Sequence, residues 1–239
     1  MHNTAAIPCF IPWSKNALNQ CGYDRIPAIW GTSDVITFLA DLGMYHPSLY
    51  DDLDNSEKEQ EQKFKTAYFK KRFTVSRSIL KHILPPILGA KNEPSDILLG
   101  KEKKGRIILH RRPDIGISLS YSGPFIAITV AKQKIGCDIE VVRLIKNNKI
   151  TSCPVFINYP CMDDKEKTRQ VIHVWTLVES YAKLFDENPY SLLNPNVVFK
   201  EVTFVSYCIH KHLILSLASE KKQFADSLVW LDHSTPGKC

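Results

Sequence analysis

The feature that most constrains the fold is a series of short apolar segments separated by turns between residues 115 and 140. Residues 125–130 (FIAITV) are β-branched and aromatic, which predicts a strand, and residues 115–120 predict its partner. Residues 121–124 (YSGP) between them carry the glycine and proline that are typical of a tight turn. The pattern predicts a β-hairpin followed by a further extended segment, residues 136–140 (GCDIE).

Two carboxylates stand close together in that extended segment. Asp138 and Glu140 are two residues apart, so in a strand they point to the same face. Residues 165–185 have helical periodicity, which puts Glu179 and Lys183, four residues apart, on one helix face. Three carboxylates and one ammonium group are thus expected to converge from a strand and a helix. Such a group suits Mg²⁺ held against a phosphate, because Mg²⁺ binds one or two carboxylates together with phosphate oxygens.

The other segments predict helices followed by short strands in each half of the chain. We expect helices over residues 34–42 and 73–84, the second ending before Pro85 and Pro86, and antiparallel strands over residues 197–218. This order predicts an α+β fold with a pseudo-twofold duplication of two similar lobes, each with helices packed on a small antiparallel sheet. The lobes are expected at residues 1–134, with residues 1–25 as a loose arm or an irregular first element, and at residues 135–239.

Composition indicates an ordinary globular protein. The 239 residues are 44% hydrophobic, and no apolar run approaches the ~20 residues that span a bilayer. The first residues lack the basic and apolar regions of a signal peptide, which favours a cytoplasmic protein without a membrane partner. The seven cysteines are scattered and form no CxxC pair, so we expect reduced thiols and not a disulfide framework or a zinc site.

The net charge of +6 is concentrated in residues 63–81 and 101–112. Local positive fields of this kind attract anions, which leaves nucleic acid, nucleotide phosphates and an acidic protein open as partners. For the first cluster alone, a solvated helix face is the better interpretation. No aromatic-rich nucleic-acid motif accompanies either cluster, so only the charge favours the interpretation as a nucleic-acid-binding protein.

Several motifs resemble those of 4′-phosphopantetheinyl transferases of the two-lobed, surfactin-type (Sfp-type) branch. Residues 136–140 resemble the (V/I)-G-(I/V)-D-(I/V)-E motif, and residues 175–183 (WTLVESYAK) are similar to (W/F)-(S/T/C)-x-K-E-(S/A)-x-x-K. Upstream and in the right order, further segments resemble an R-F-x-x-x-R helix, a G-(K/R)-P loop and an S-H-S-G segment. They are residues 72–84, 102–107 and 117–123. The resemblance covers about residues 60–185, and the length fits the monomeric branch.

The resemblance implies a magnesium-dependent enzyme. Such enzymes transfer the phosphopantetheine arm of coenzyme A to a serine of an acyl or peptidyl carrier protein and release adenosine 3′,5′-bisphosphate. By this resemblance Asp138, Glu140 and Glu179 hold Mg²⁺, and Glu179 also accepts the serine proton. Lys183 pairs with the pyrophosphate. Contacts to the coenzyme A nucleotide are implied for Arg72, Gly105, Arg106, Ser120 and Tyr121.

Some positions depart from the family pattern. Val178 stands where the second motif has lysine, Tyr121 where the S-H-S-G segment has histidine, and Ile107 where the loop has proline. Residues 186–189 replace a glycine-rich stretch. These departures leave two alternatives open: a divergent active transferase, or a homologue that binds coenzyme A or a carrier protein without turnover. The class of carrier protein also stays open.

Overall fold

The computed structural model describes residues 18–89, 93–102, 105–143, 164–194, 196–210 and 212–231. These ranges form a mixed α+β fold with four α-helices and ten strands. The helices are α1 (Ile26–Thr32), α2 (Asn55–Gln62), α3 (Ala67–Leu88) and α4 (Asp164–Phe185). The strands are β1 (Leu18–Cys21), β2 (Val35–Asp41), β3 (Leu99–Lys101), β4 (Ile107–Leu109), β5 (Gly116–Ser122), β6 (Phe125–Ala131), β7 (Gly136–Val141), β8 (Thr203–Ile209), β9 (Leu213–Ser219) and β10 (Asp226–Leu231). None of the described helices has the length and apolarity that a membrane span requires.

The strands form two main sheets and a small hairpin. The first sheet has the order β1-β10-β2-β6-β5, in which β1, β10 and β2 are parallel to one another and β2, β6 and β5 are antiparallel. The second sheet, β7-β9-β8, is antiparallel, and β3 pairs with β4. The first sheet is thus mixed and larger than expected, because β10 comes from the C-terminal half of the chain.

Each half of the chain contains a strand, a long helix and a hairpin in this order, and the first half has α2, β3 and β4 in addition. In the first half β2 is followed by α3 and by the hairpin of β5 and β6, and β2 pairs antiparallel with β6. In the second half β7 is followed by α4 and by the hairpin of β8 and β9, and β7 pairs antiparallel with β9. The two helices are each 22 residues long.

The helix expected over residues 34–42 was wrong, because this segment is β2. The burial pattern explains the error: the first six residues of β2 are buried, so no alternation of apolar and polar residues marks it as a strand. Ile36 and Phe38 belong to the core under α3, whereas Val35 and Leu39 belong to the core shared with the second sheet. Burial of both faces requires a continuous apolar run, which a helix can also have.

Two further boundaries differ from expectation. Residues 18–25 are not a loose arm, since they form β1 and a 3-10 turn, whereas residues 1–17 lie outside the described part of the chain. The helix expected over residues 73–84 is the middle of α3, which begins at Ala67 and continues through Pro85 and Pro86 to Leu88. The last turn persists because Ile87 packs into the core and Gly89 donates a backbone hydrogen bond to the Pro85 carbonyl at 3.0 Å.

The molecule has four layers. Helix α3 packs on the outer face of the first sheet through Ile79 and Ile83. The other face of that sheet and one face of the second sheet share a core that includes Leu39, Ile139 and Leu215. Helix α4 packs beside β7 and β9. Helices α3 and α4 each have one apolar side, because only one side of each helix packs on a sheet.

The two sheets meet along β5 and β7 through serine side chains. Three serines of β5 each accept a hydrogen bond from a backbone N–H group of β7. The pairs are Ser118 with Cys137 at 3.0 Å, Ser120 with Ile139 at 3.2 Å, and Ser122 with Val141 at 2.9 Å. Side-chain hydroxyls thus stand in for a main-chain ladder at this junction, which we call the serine seam.

The closest approach of β7 to α4 depends on Gly136. A Cβ atom at this position would lie 1.9 Å from the Ser180 carbonyl oxygen and 2.7 Å from the Leu184 nitrogen, both backbone atoms. We therefore expect Gly136→Ala to lower the free energy of unfolding by about 3 kcal/mol, since backbone must move to relieve the overlap. Denaturant unfolding measures this change. Gly31→Ala is the matched control, because its Cβ meets nothing within 4 Å; an equal loss in both variants would contradict the close approach.

Candidate functional site

The serine seam holds a buried ion pair at its centre. Asp138 on β7 is 2% exposed, and its Oδ1 accepts hydrogen bonds from Ser120 Oγ and Lys183 Nζ, both at 2.7 Å. Lys183 Nζ also donates to Ser120 Oγ at 3.0 Å. Ser120 therefore donates one hydrogen bond and accepts two, which uses the full capacity of its hydroxyl. Asp138 of the strand and Lys183 of the helix therefore meet here.

The second carboxylate of the helix face joins this pair. Glu179 Oε2 lies 3.7 Å from Lys183 Nζ. Burial, together with the nearby charge of Asp138, raises the pKa of Glu179 to about 7, although Lys183 acts in the opposite direction. Burial alone would lower the pKa of Lys183, but Asp138 raises it above its ordinary value. Lys183 is thus held as an ammonium ion between two carboxyl groups.

The third predicted carboxylate, Glu140, is attached to the next rung of the serine seam. Its Oε2 accepts a hydrogen bond from Ser122 Oγ at 2.6 Å. Burial raises the pKa of Glu140 above its ordinary value, and the nearby charge of Asp138 acts in the same direction. The same-face geometry expected for Asp138 and Glu140 therefore holds, with one serine donating to each carboxylate.

The three carboxylates fit a divalent cation in their chemistry. Within the described ranges, Oδ2 of Asp138 is buried without a hydrogen-bond partner, and no three His, Cys, Asp or Glu side chains are already gathered as a metal-binding group. Burial is the main cause of the raised pKa values of Glu140 and Glu179, and the nearby charge of Asp138 acts in the same direction. Mg²⁺ is a hard cation that takes oxygen ligands, so Asp138, Glu140 and Glu179 are suitable ligands for it.

A cleft of about 1420 Å³ opens beside this group, between α2, α3, the β3–β4 hairpin, β5 and the C-terminal end of α4. Six of the residues proposed from sequence line this cleft or its rim. They are Arg72, Gly105, Arg106, Tyr121, Glu179 and Lys183. Ser120 is 4% exposed and is fully engaged in the serine seam, so the structure brings it to Asp138 and not to the cleft wall.

Arg72 and Tyr121 form one wall of the cleft. The Arg72 guanidinium lies over the Tyr121 ring, with 3.7 Å between its central carbon and the ring centroid. Such stacking is a cation–π contact that holds the guanidinium in place while leaving its edge able to bind an anion. Tyr121 therefore orients an arginine here.

Arg106 has a different environment from the one implied by the resemblance. Its Nη2 donates to the carbonyl oxygens of Lys183 at 2.6 Å and Leu184 at 2.9 Å, and forms an ion pair with Asp186 at 3.0 Å. Asp186 follows α4 with a φ of 57°, the left-handed conformation that often ends helices. Arg106 thus caps the negative end of α4, directly after Lys183.

The turn before Arg106 depends on Gly105. Its φ of 99° lies in the region that disfavours residues with a Cβ atom, and its N–H donates to the Glu102 carbonyl at 2.9 Å. The turn returns the chain from β3 to β4 and points Arg106 at α4. Gly105 therefore acts here through backbone conformation.

Sequence reasoning missed a second charged group in the cleft. Glu57 and Arg77 line it, and Lys81 lies beside them with its ammonium 2.8 Å from Glu57 Oε2. All three are buried. The signal was the spacing of Arg77 and Lys81, four residues apart inside an apolar helix segment, which is unusual for a solvated face.

Val178 lies outside the cleft. It is fully buried and belongs to the apolar core around α4, together with Val174 and Tyr181. Val178 is therefore a core residue in this chain.

Compared with known proteins, the chain matches no family model and no curated protein at a significant level. The geometry of the site is thus the basis for any functional assignment.

Removal of the Arg106 cap should destabilise the end of α4. We expect Arg106→Ala to lower the free energy of unfolding by about 2 kcal/mol, because three acceptors lose a charged donor. Arg112→Ala is the control: Arg112 pairs with Asp114 at an exposed site, where an ion pair contributes less than about 1 kcal/mol. Urea unfolding of both variants measures the difference, and equal losses would contradict the capping role.

Glu179 should make stability depend on pH in the metal-free protein. Its pKa is about 7 when folded and the ordinary value is 4.5, so the folded state binds more protons between these values. Stability is expected to rise as pH falls from 7 towards 4.5, and Glu179→Gln should remove this contribution. The measurement is the difference in unfolding free energy between wild type and Glu179→Gln at pH 7.5 and pH 5.

That difference also corrects for His173, because both proteins carry it. Burial lowers the pKa of His173 to about 4, so its contribution is lost as pH falls below the ordinary value of 6.5. A difference between the proteins that does not change with pH would show that Glu179 ionises normally. Addition of Mg²⁺ should abolish the increase in unfolding free energy at low pH, since a cation favours the ionised carboxyl.

Proposed function

We propose that this protein is a magnesium-dependent 4′-phosphopantetheinyl transferase that acts on an acyl or peptidyl carrier protein. The observation that carries the proposal is the convergence of Asp138 from β7 with Glu179 and Lys183 from α4 beside a large cleft. Lys183 Nζ lies 2.7 Å from Asp138 Oδ1 and 3.7 Å from Glu179 Oε2. These are the residue types that a phosphoryl transfer requires, because it needs neutralised charge and fixed position more than covalent help.

In this reaction the hydroxyl of the carrier serine attacks the β-phosphorus of coenzyme A. The new bond joins the serine oxygen to phosphorus, and the bond to the bridging oxygen breaks to release adenosine 3′,5′-bisphosphate. Glu179 takes the serine proton, directly or through water, as a general base. Mg²⁺, held by Asp138, Glu140 and Glu179, would supply positive charge to the pyrophosphate.

Lys183 and the arginines carry the remaining charge in the proposal. The Lys183 ammonium is held by Asp138 and Ser120, and its side chain is 30% exposed at the cleft. It can therefore reach a pyrophosphate oxygen without leaving its partners. Arg72, fixed on Tyr121, offers a charge to the phosphates of the nucleotide. Arg106 contributes by holding the end of α4, on which Lys183 lies.

The proposal also includes a division of the chain into two similar lobes. The shared order of strand, long helix and hairpin in the two halves supports a pseudo-twofold duplication of two lobes, with the cleft where they meet. We propose lobes at residues 1–134 and 135–239, with β10 returning to the first sheet. We further propose a monomeric, cytoplasmic enzyme whose partners are coenzyme A and a carrier protein, without a nucleic-acid partner.

Transfer is tested by incubation with coenzyme A, Mg²⁺ and several apo carrier proteins, followed by mass spectrometry. We expect the mass of a phosphopantetheine group to be added to at least one carrier. Asp138→Asn and Glu179→Gln should each lower the rate by at least about 100-fold, because each removes a charge beside the reacting phosphate. Asp114→Asn, at an exposed site, is the control. No mass gain on any carrier while a control enzyme works would reject the proposal.

A second candidate is a protein that binds coenzyme A without turnover. The observation in its favour is that two of the expected phosphate-binding cations are already paired, Lys183 with Asp138 and Arg106 with Asp186. Calorimetry separates the two candidates. Tight coenzyme A binding without mass transfer supports this candidate, and turnover excludes it.

A further inference from the structure

The cleft contains a buried donor and a buried acceptor that lack hydrogen-bond partners. Glu57 Oε2 accepts a hydrogen bond from the backbone N–H of Asp54 at 3.1 Å and forms an ion pair with Lys81 Nζ at 2.8 Å. Glu57 Oε1 lies 3.8 Å from Arg77 Nε, which is too far for a hydrogen bond. Among the described residues, Glu57 Oε1 and Arg77 Nη1 have no hydrogen-bond partner.

Both side chains are nearly enclosed. Glu57 and Arg77 side chains are 7% and 9% exposed, and both line the cleft. A buried polar atom without a partner costs about 1–3 kcal/mol, so a ligand that satisfies both atoms gains binding energy there. The ligand group must therefore donate to a carboxylate oxygen and accept from a guanidinium at neighbouring positions.

The charges around these atoms balance. Glu57 and Asp54 are acidic, whereas Arg77 and Lys81 are basic, and the four are linked by ion pairs at 2.8 to 3.8 Å. A phosphate would be repelled by the negative charge of Glu57, and an ammonium group would be repelled by the positive charge of Arg77. A neutral group with a donor beside an acceptor is the ligand that this cluster favours.

Aromatic side chains line the cleft near the same two residues. Phe64, Phe69 and Phe73 come from α3 and the segment before it, and Arg77 lies one helical turn beyond Phe73. Phe69 is 45% exposed, an unusual state for phenylalanine on a packed helix. Arg77 itself lies over the Phe73 ring, 5.3 Å from its centroid, so the exposed part of Phe69 is the surface that suits a flat ring. A flat ring with a neutral donor and acceptor on its edge is a nucleobase.

We infer that Glu57 and Arg77 form a nucleobase subsite that recognises the amidine edge of adenine. The exocyclic amino group donates to Glu57 Oε1, and the adjacent ring nitrogen accepts from Arg77. The inference rests on the proposed function only in that coenzyme A is the ligand that carries adenine. Glu57 lies on α2 and Arg77 lies on α3.

The test is calorimetric titration of wild type with adenosine 3′,5′-bisphosphate and with inosine 3′,5′-bisphosphate. Inosine carries a carbonyl oxygen where adenosine carries the amino group, so it would place two acceptors together at Glu57. We expect adenosine bisphosphate to bind at least about 10-fold more tightly, since a site built on hydrogen bonds rejects the analogue that lacks them.

Two variants assign this preference to Glu57. Glu57→Gln should lose the preference, because an amide can donate to the inosine carbonyl. Glu61→Gln on the same helix should retain it, since Glu61 pairs with Lys70 and is not among the cleft-lining residues. Thermal unfolding checks the fold of both variants. If Glu57→Gln does not fold, the affinities of wild type for the two nucleotides still show whether the protein prefers adenine.

Three results would overturn the subsite: equal affinity of wild type for the two nucleotides, binding of neither nucleotide, or an unchanged preference in folded Glu57→Gln. Failure of the transferase proposal is distinguishable. A protein that prefers adenine but modifies no carrier keeps the subsite and loses the transferase activity. A protein that uses the hypoxanthine analogue of coenzyme A with the same kcat/KM keeps the activity and loses the subsite.

Discussion

The serine seam between β5 and β7 is the contact on which the rest of the site depends. Each of Ser120 and Ser122 accepts a hydrogen bond from the backbone of β7 and donates one to a carboxylate of the same strand. One side chain therefore joins two sheets and orients an acid. Because the carboxylates are buried, these hydrogen bonds are stronger than they would be in water and fix the acids in place.

The cleft combines two groups of opposite design. Beside α4, the carboxyl groups of Asp138, Glu140 and Glu179 lie near the ammonium of Lys183, and burial is the main cause of the raised pKa of Glu179. Beside α2 and α3, acidic and basic side chains balance, and among the described residues Glu57 Oε1 and Arg77 Nη1 of this cluster lack a hydrogen-bond partner. A charged end and a neutral end suit a ligand that carries phosphates at one part and an uncharged ring at another.

Much of the local structure was accessible from sequence because it depends on near neighbours. The hairpin of β5 and β6 follows from two apolar runs around a glycine–proline turn, and α4 follows from helical periodicity. The spacing put Asp138 and Glu140 on one strand face and Glu179 and Lys183 on one helix face, and the tertiary structure brought the two faces together. Strand β2 was misjudged, since burial of both its faces removes the alternation that marks a strand.

The sequence by itself determined which side chains share a face, because that depends only on the repeat of a strand or a helix. It also determined that the shared faces of β7 and α4 carry three carboxylates and one ammonium group. The tertiary structure decided which elements meet. It brought β10 beside β2, turned Arg106 onto the end of α4 and buried Glu57 against Arg77. These contacts join residues far apart in the chain, and their partners are selected by packing and burial, which no local pattern records.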